Sequence, residues 1–317
     1  MVAGSDGSKI KESKMSSERE KGTANFSVKK PIFTLESDVV LPETTSIQIQ
    51  ECLAKLKYHR RMYHDWNFQS VDPLGRGTIL NFYGPPGTGK TMAAEAFAGT
   101  LGLDFIHLGT ADVESKFMGE TAKNIRAAFE YANETGAVIF FDEADTLLGK
   151  RLSSVTQGVD NEVNAMRSTL LIELERFEGV VIFATNFAKN YDTAFLSRIS
   201  HHIKFDLPDK RSREGIWMRM LVSEIPLDRE RTDFVAMCVD ASEGLAGREI
   251  RNALRLALPK ALIREGSDMK CVLEITDVIS AIDQIRSSYE DIESSSGFSG
   301  GKKSHQVVKG LLGIDKE

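Results

Sequence analysis

The stretch that most constrains this chain is Gly84-Pro85-Pro86-Gly87-Thr88-Gly89-Lys90-Thr91, which fits the pattern G-x-x-x-x-G-K-[ST] at every fixed position. It follows an apolar run, Ile79-Leu80-Asn81-Phe82-Tyr83, and precedes a run of small residues, Met92-Ala93-Ala94-Glu95-Ala96-Phe97-Ala98. Strand, glycine-rich loop and helix form the context in which this spacing makes a phosphate site. The glycines let backbone N–H groups turn inward, and the following helix aims its positive end at the same place. The pattern predicts that Lys90 reaches the β- and γ-phosphates and that the Thr91 hydroxyl holds Mg²⁺, with residues from Gly84 to Met92 lining the ligand. A plain Gly/Pro turn would not need Lys-Thr at its end.

A second stretch completes the expected site. Val138-Ile139-Phe140-Phe141-Asp142-Glu143-Ala144-Asp145 is an unbroken apolar run that ends in carboxylates. A run without alternation suits a strand buried on both faces of a parallel sheet. Ligands in such sheets sit beyond the carboxyl ends of the strands. Asp142 is therefore expected in the Mg²⁺ shell, and Glu143 is expected to orient and polarise an attacking water. A helix N-cap would explain one of these carboxylates but not the pair.

The pattern along the chain predicts an α/β fold with a parallel five-stranded sheet. Strands are expected near 78–83, 104–109, 137–142, 180–185 and 202–206, with helices near 91–101, 121–133 and 160–177 between them. A helix is also expected near 44–68. After Leu207-Pro208-Asp209 the pattern is helical, near 211–223, 232–239, 247–265 and 276–290. The expected division is a tail over 1–30, a large α/β domain over 31–209, a small all-α domain over 210–292 and a second tail over 293–317. A net charge of −6 provides no global basic field for nucleic acid. Cys52, Cys238 and Cys271 are far apart and odd in number, which suggests buried thiols in a reducing compartment. No apolar run approaches membrane-spanning length and no signal-peptide core opens the chain, so a cytoplasmic protein is expected.

These motifs resemble those of the AAA+ ATPases over roughly residues 40–290. The phosphate loop and Asp142-Glu143 look like the family's Walker A and Walker B motifs, which implies ATP and Mg²⁺ as ligands. Val180-Val181-Ile182-Phe183-Ala184-Thr185-Asn186 is similar to its sensor-1 strand, which implies that Asn186 holds the water between Glu143 and the γ-phosphate. Asp192-Thr193-Ala194-Phe195-Leu196-Ser197-Arg198 resembles the arginine-finger segment, although many relatives carry two arginines where this chain has only Arg198. In relatives that arginine reaches a neighbour's γ-phosphate, where such a group contributes about 10³–10⁵ in rate. Gly244-Leu245-Ala246-Gly247-Arg248 resembles the sensor-2 segment, which implies that Arg248 touches nucleotide from the helical lid; Arg251 competes for that role. Ser115-Lys116-Phe117-Met118-Gly119-Glu120 resembles the pore loop of protein-translocating members, which implies that Lys116, Phe117 and Met118 grip an extended polypeptide inside a homo-hexamer.

No H-E-x-x-H zinc-protease motif is present, and the C-terminus lacks the terminal hydrophobic-Tyr pattern that docks on proteasome-like chambers. The lone Arg198, Arg248 within Gly-Leu-Ala-Gly-Arg, and the Ser-Lys-Phe loop look like the pachytene-checkpoint ATPases that remodel HORMA-domain proteins. Bacterial relatives of these act in antiphage operons. The resemblance implies a HORMA-domain protein substrate, threaded through a hexamer pore, with neither nucleic acid nor membrane as partner. A nucleic-acid-linked loader and an ATP-dependent switch without translocation use the same ATP module and stay open.

Overall fold

The computed structural model describes residues 26–72, 77–109, 120–149, 158–186, 191–265 and 271–296. Its centre is one sheet built from β1 (Ser27–Lys29), β2 (Thr78–Tyr83), β3 (Phe105–Leu108), β4 (Val138–Phe141), β5 (Val180–Thr185) and β6 (His201–Lys204). The six strands lie in the order β1-β3-β4-β5-β2-β6. The pairings among β2 to β6 are all parallel, and β1 pairs antiparallel with β3. β2, β4 and β5 are the interior strands that carry the candidate site, and all their residues except Tyr83 are buried. That is why they read as continuous apolar runs: helices cover both faces of the sheet.

Successive side chains of a strand point to opposite faces, and two cores result. On one face Ile79, Ile106, Ile139 and Val181 pack with Ile125 and Phe129 of α3 (Glu120–Thr135) and with Leu170 and Leu174 of α5 (Gly158–Arg176). On the other face Leu80, Phe105, Phe140 and Ile182 pack with Ile49 and Cys52 of α1 (Glu43–Lys57) and with Ala94 and Phe97 of α2 (Lys90–Leu101). A third core contains no strand. Trp217 of α7 (Lys210–Met220), Phe234 of α8 (Arg231–Ala241), Ile250 of α9 (Gly247–Glu265) and Val278 of α10 (Ile275–Ser296) meet there. The Trp217 indole is fully buried and satisfied by donating to Ser242 Oγ at 2.9 Å. Short helices α4 (Asp145–Leu148) and α6 (Thr193–Leu196) follow β4 and β5.

Two expectations are corrected. The sheet has a sixth, antiparallel strand in residues assigned above to the N-terminal tail, and all three β1 residues are exposed. Pairing with Phe105, Ile106 and His107 holds β1, not an apolar pattern of its own. The helix expected over 44–68 ends at Lys57 and gives way to a π turn at Arg61–Asp65 and a 3₁₀ turn at Phe68–Ser70. Asn67 takes the left-handed conformation between them, with φ 54°, and an α-helix does not pass through such a residue. Trp66, between the two turns, is 68% exposed beneath the Arg61 guanidinium.

The thiols of Cys52 and Cys238 are free and buried, and burial pushes both pKa values up to about 12. Among the described residues no helix is long and apolar enough to cross a membrane.

Candidate functional site

The phosphate-loop sequence leaves β2 at Gly84 and enters α2 at Lys90. Gly84 has φ 147°, and a Cβ there would lie 2.1 Å from the backbone oxygen of Phe205. Only glycine lets the chain pass between the end of β5, whose Thr185 carbonyl accepts from Gly84 N, and the segment after β6. Gly89, with φ 97°, turns the chain into α2, and a Cβ there would meet nothing within 4 Å. That open ground lies where the first amides of the helix face outward. The Thr88 hydroxyl closes the loop by donating to the Pro85 carbonyl at 2.8 Å. Pro86 is exposed, and Met92 is half-buried behind Thr91.

Lys90 is buried and folds over this loop. Its Nζ donates to the Gly84 carbonyl at 2.8 Å, the Pro85 carbonyl at 2.9 Å and Asn186 Oδ1 at 2.9 Å. Burial pushes its pKa down to about 8; Asp142 and Asp145 act against that, and Arg248 acts with it. Thr91 Oγ1 donates to Asp142 Oδ2 at 3.0 Å, and the backbone N–H of Glu143 donates to Asp142 Oδ1 at 3.0 Å. Burial raises the Asp142 pKa, but the nearby His107 ring and hydrogen bonds from Thr91 and the Glu143 amide leave it below the usual carboxylate value. A hydroxyl beside an ionised carboxylate is a pair of hard oxygen donors. Mg²⁺ is commonly held by one or two carboxylates together with substrate phosphates, and this pair fits that demand.

Glu143 follows Asp142 with φ 51°, a left-handed conformation in a residue that is not glycine. Such a backbone costs about 1–3 kcal/mol and persists only where its surroundings over-determine it. Here the next amide, Ala144 N, is tied to the Ala184 carbonyl at 2.8 Å, and the turn leaves Glu143 exposed at the strand end. Asn186 caps β5. Its amide N–H donates to Asp145 Oδ2 at 3.2 Å while its side chain accepts from Lys90.

The structure thus makes two hydrogen-bonded pairs from the adjacent residues Lys90 and Thr91, Lys90 with Asn186 and Thr91 with Asp142, and Glu143 follows Asp142 in the chain. Arg248 approaches from the third core. Its backbone N–H donates to the Gly87 carbonyl at 3.1 Å, and its side chain is exposed. The start of α9 is squared off by Glu249, which accepts from Ala246 N at 2.6 Å and from the Tyr289 hydroxyl at 3.3 Å. Arg251 lies one turn further along α9 and is exposed. The contacts of Arg198 lie elsewhere: Nη1 donates to the Ala194 carbonyl at 2.8 Å and Nη2 to Glu175 Oε1 at 3.3 Å. Lys116, Phe117 and Met118 lie outside the described residues.

Three features were missed in the sequence reading. His107 sits at the end of β3 with Nε2 3.6 Å from Asp142 Oδ2; its place at the carboxyl end of a parallel strand was the available signal. Asp145 holds the Asn186 amide, although its spacing suggested only a helix start. The Tyr191 hydroxyl lies 2.6 Å from Thr185 Oγ1 and accepts from Asn81 Nδ2 at 3.2 Å, a buried polar contact between β2 and β5 for which the apolar run gave no warning.

Residues 80–207 match the family model described as "ATPase family associated with various cellular activities (AAA)". The chain is 34% identical over 223 residues to the proteasome-activating nucleotidase of Methanopyrus kandleri, covering 68% of this chain and 49% of that protein. It is 35% identical over 184 residues to the 26S proteasome subunit RPT4 of Saccharomyces cerevisiae, covering 56% of this chain and 41% of that one. The chain therefore spans about half the length, or less, of these curated relatives. In fold it is similar to the crystal structure of the FIGL-1 AAA domain, with a TM-score of 0.63 at 23% identity, covering 81% of this chain and 85% of that one. The same domain has also been solved in complex with ADP, and that structure matches with a TM-score of 0.61.

Proposed function

From the premise that residues 80–207 form an AAA domain, we propose that this chain is a Mg²⁺-dependent ATPase that remodels a partner protein. The observation that carries the reading is the convergence of Lys90, Thr91, Asp142 and Asn186 at the mouth of the phosphate loop. In this reading Lys90 leaves its carbonyl partners for the β- and γ-phosphates, while Thr91 and Asp142 hold Mg²⁺. The bound ion neutralises charge that builds on the phosphate oxygens. Glu143 accepts a proton from the attacking water and Asn186 holds that water in line. Arg198 acts on the site of a neighbouring subunit in a homo-hexamer, and Lys116, Phe117 and Met118 engage the substrate polypeptide. The similarity to proteasome-activating nucleotidases supports action on proteins. The finer reading, supported by the lone Arg198, the Gly-Leu-Ala-Gly-Arg segment and the Ser-Lys-Phe loop, is that the substrate is a HORMA-domain protein of an antiphage system.

A trap experiment tests the reading. Glu143→Gln protein loaded with ATP and Mg²⁺ is expected to retain one protein partner that a Lys90→Ala control releases. Capture of DNA, with a DNA-stimulated and steeply salt-dependent ATPase rate, would instead make the chain a nucleic-acid loader. ATP binding with no phosphate release by the wild type would make it a switch.

The buried Lys90 also sets a pH dependence. Below its pKa of about 8 the ammonium is intact and available to phosphate; as pH rises through 8 the charge is lost. Nucleotide affinity is therefore expected to fall as pH is raised from 7 to 9. Because bound phosphate favours the charged amine, binding near pH 8.5 should take up protons. Calorimetry in buffers of different ionisation enthalpy measures that uptake, and its absence would place Lys90 away from the phosphates.

A further inference from the structure

We infer that His107 is a positioning residue for Asp142 and thereby sets the affinity of the site for Mg²⁺; the inference rests on the Mg²⁺-ATPase reading above. Its Nε2 is buried and makes no hydrogen bond, and it stands 3.6 Å from Asp142 Oδ2, slightly beyond hydrogen-bond length. This is the same carboxylate oxygen that accepts from Thr91. The ring packs against two phenylalanine rings on its own face of the sheet. Its centroid lies 5.3 Å from that of Phe140, its cross-strand partner in β4, and 6.2 Å from that of Phe105 in β3. The backbone closes the geometry, because Asp142 N donates to the Leu108 carbonyl at 3.0 Å and so locks the carboxylate beside the end of β3.

A buried donor with no partner is drawn to the nearest acceptor, and His107 is clamped so that this acceptor is Oδ2. Thr91 and the Glu143 amide hold two sides of the carboxylate, and His107 supplies the third. Residues of this kind fix the orientation of a metal-binding group without touching the metal, and losing one typically costs about 10–100-fold in metal affinity. Carbon in place of Nε2 would leave the carboxylate held by Thr91 and the Glu143 amide alone.

The test is the Mg²⁺ dependence of binding of a fluorescent ADP analogue to the full chain. His107→Phe keeps a ring beside Phe105 and Phe140 but removes the donor. It is expected to raise the Mg²⁺ concentration at half-saturation about tenfold, with binding in EDTA unchanged, and His107→Gln, which restores an N–H, is expected to fall between. Asp142→Asn is the reference for the site itself. If Asp142→Asn shifts the Mg²⁺ dependence and neither His107 variant does, the inference is wrong and the ATPase reading stands. If Asp142→Asn leaves it unshifted, the metal assignment fails and takes the inference with it. Equal loss of binding with and without Mg²⁺ in both His107 variants would assign the ring to packing alone and overturn the inference.

Discussion

Arg198→Ala is expected to lower ATP turnover by about 10³–10⁵ while leaving nucleotide affinity within a few-fold of wild type. A guanidinium that reaches the γ-phosphate acts on charge that develops only as the bond breaks, so its loss appears in kcat. Within one chain Arg198 rests against the Ala194 carbonyl and the exposed Glu175 carboxylate. A half-exposed pair of this kind contributes at most about 1 kcal/mol, so the thermal midpoint should hardly move. Mixing decides whether the residue works across a boundary. Glu143→Gln subunits still carry Arg198, and Arg198→Ala subunits still carry Glu143. Combined, the two inactive proteins should regain measurable turnover. Failure to complement, with full loss in each parent, would show that Arg198 serves its own subunit or its fold.

The second large effect belongs to Glu143. Glu143→Gln should bind ATP about as tightly as wild type and release phosphate about 10²–10⁴ times more slowly. Gln preserves length and hydrogen bonding but cannot take a proton. The local backbone leaves little room for another explanation. The left-handed turn at φ 51° is set by the Asp142 carboxylate on its own amide and by the Ala184 carbonyl on the next, neither of which the substitution touches. Steady-state phosphate release beside a direct binding measurement separates chemistry from affinity. Near-normal turnover would remove Glu143 from the reaction.

What could be read from the chain alone depended on whether a residue's environment is local. β2, β4 and β5 were legible because a strand buried on both faces is mostly apolar without alternation, and the strand-loop-helix spacing around Lys90 needs no partner to be recognised. β1 was not, since its three exposed residues depend on the far edge of β3. The expected helix over 44–68 could not run to its end because Asn67, inside an apparently periodic stretch, is left-handed. Within the site, Asp142 and Asn186 announced themselves by their position at strand ends. His107 also stands near a strand end, but its nearness to Asp142 comes from the register that sets it opposite Phe140. Arg248 and Arg251 were indistinguishable by spacing; the contact of the Arg248 amide with Gly87 puts the former against the loop.

That contact has a mechanical consequence. The Arg248 amide joins a helical body with its own core to a loop anchored in the sheet, and it does so at the lip of the phosphate loop. A Cβ on Gly87 would come within 3.0 Å of the Arg248 Cβ. The missing side chain is what lets the two bodies seat, so position 87 works as a joint with no spacer. A side chain inserted there is expected to press on Arg248 and Ala246 and so shift the start of α9 against the loop, while Lys90 and Thr91 keep their places in the sheet-bound body.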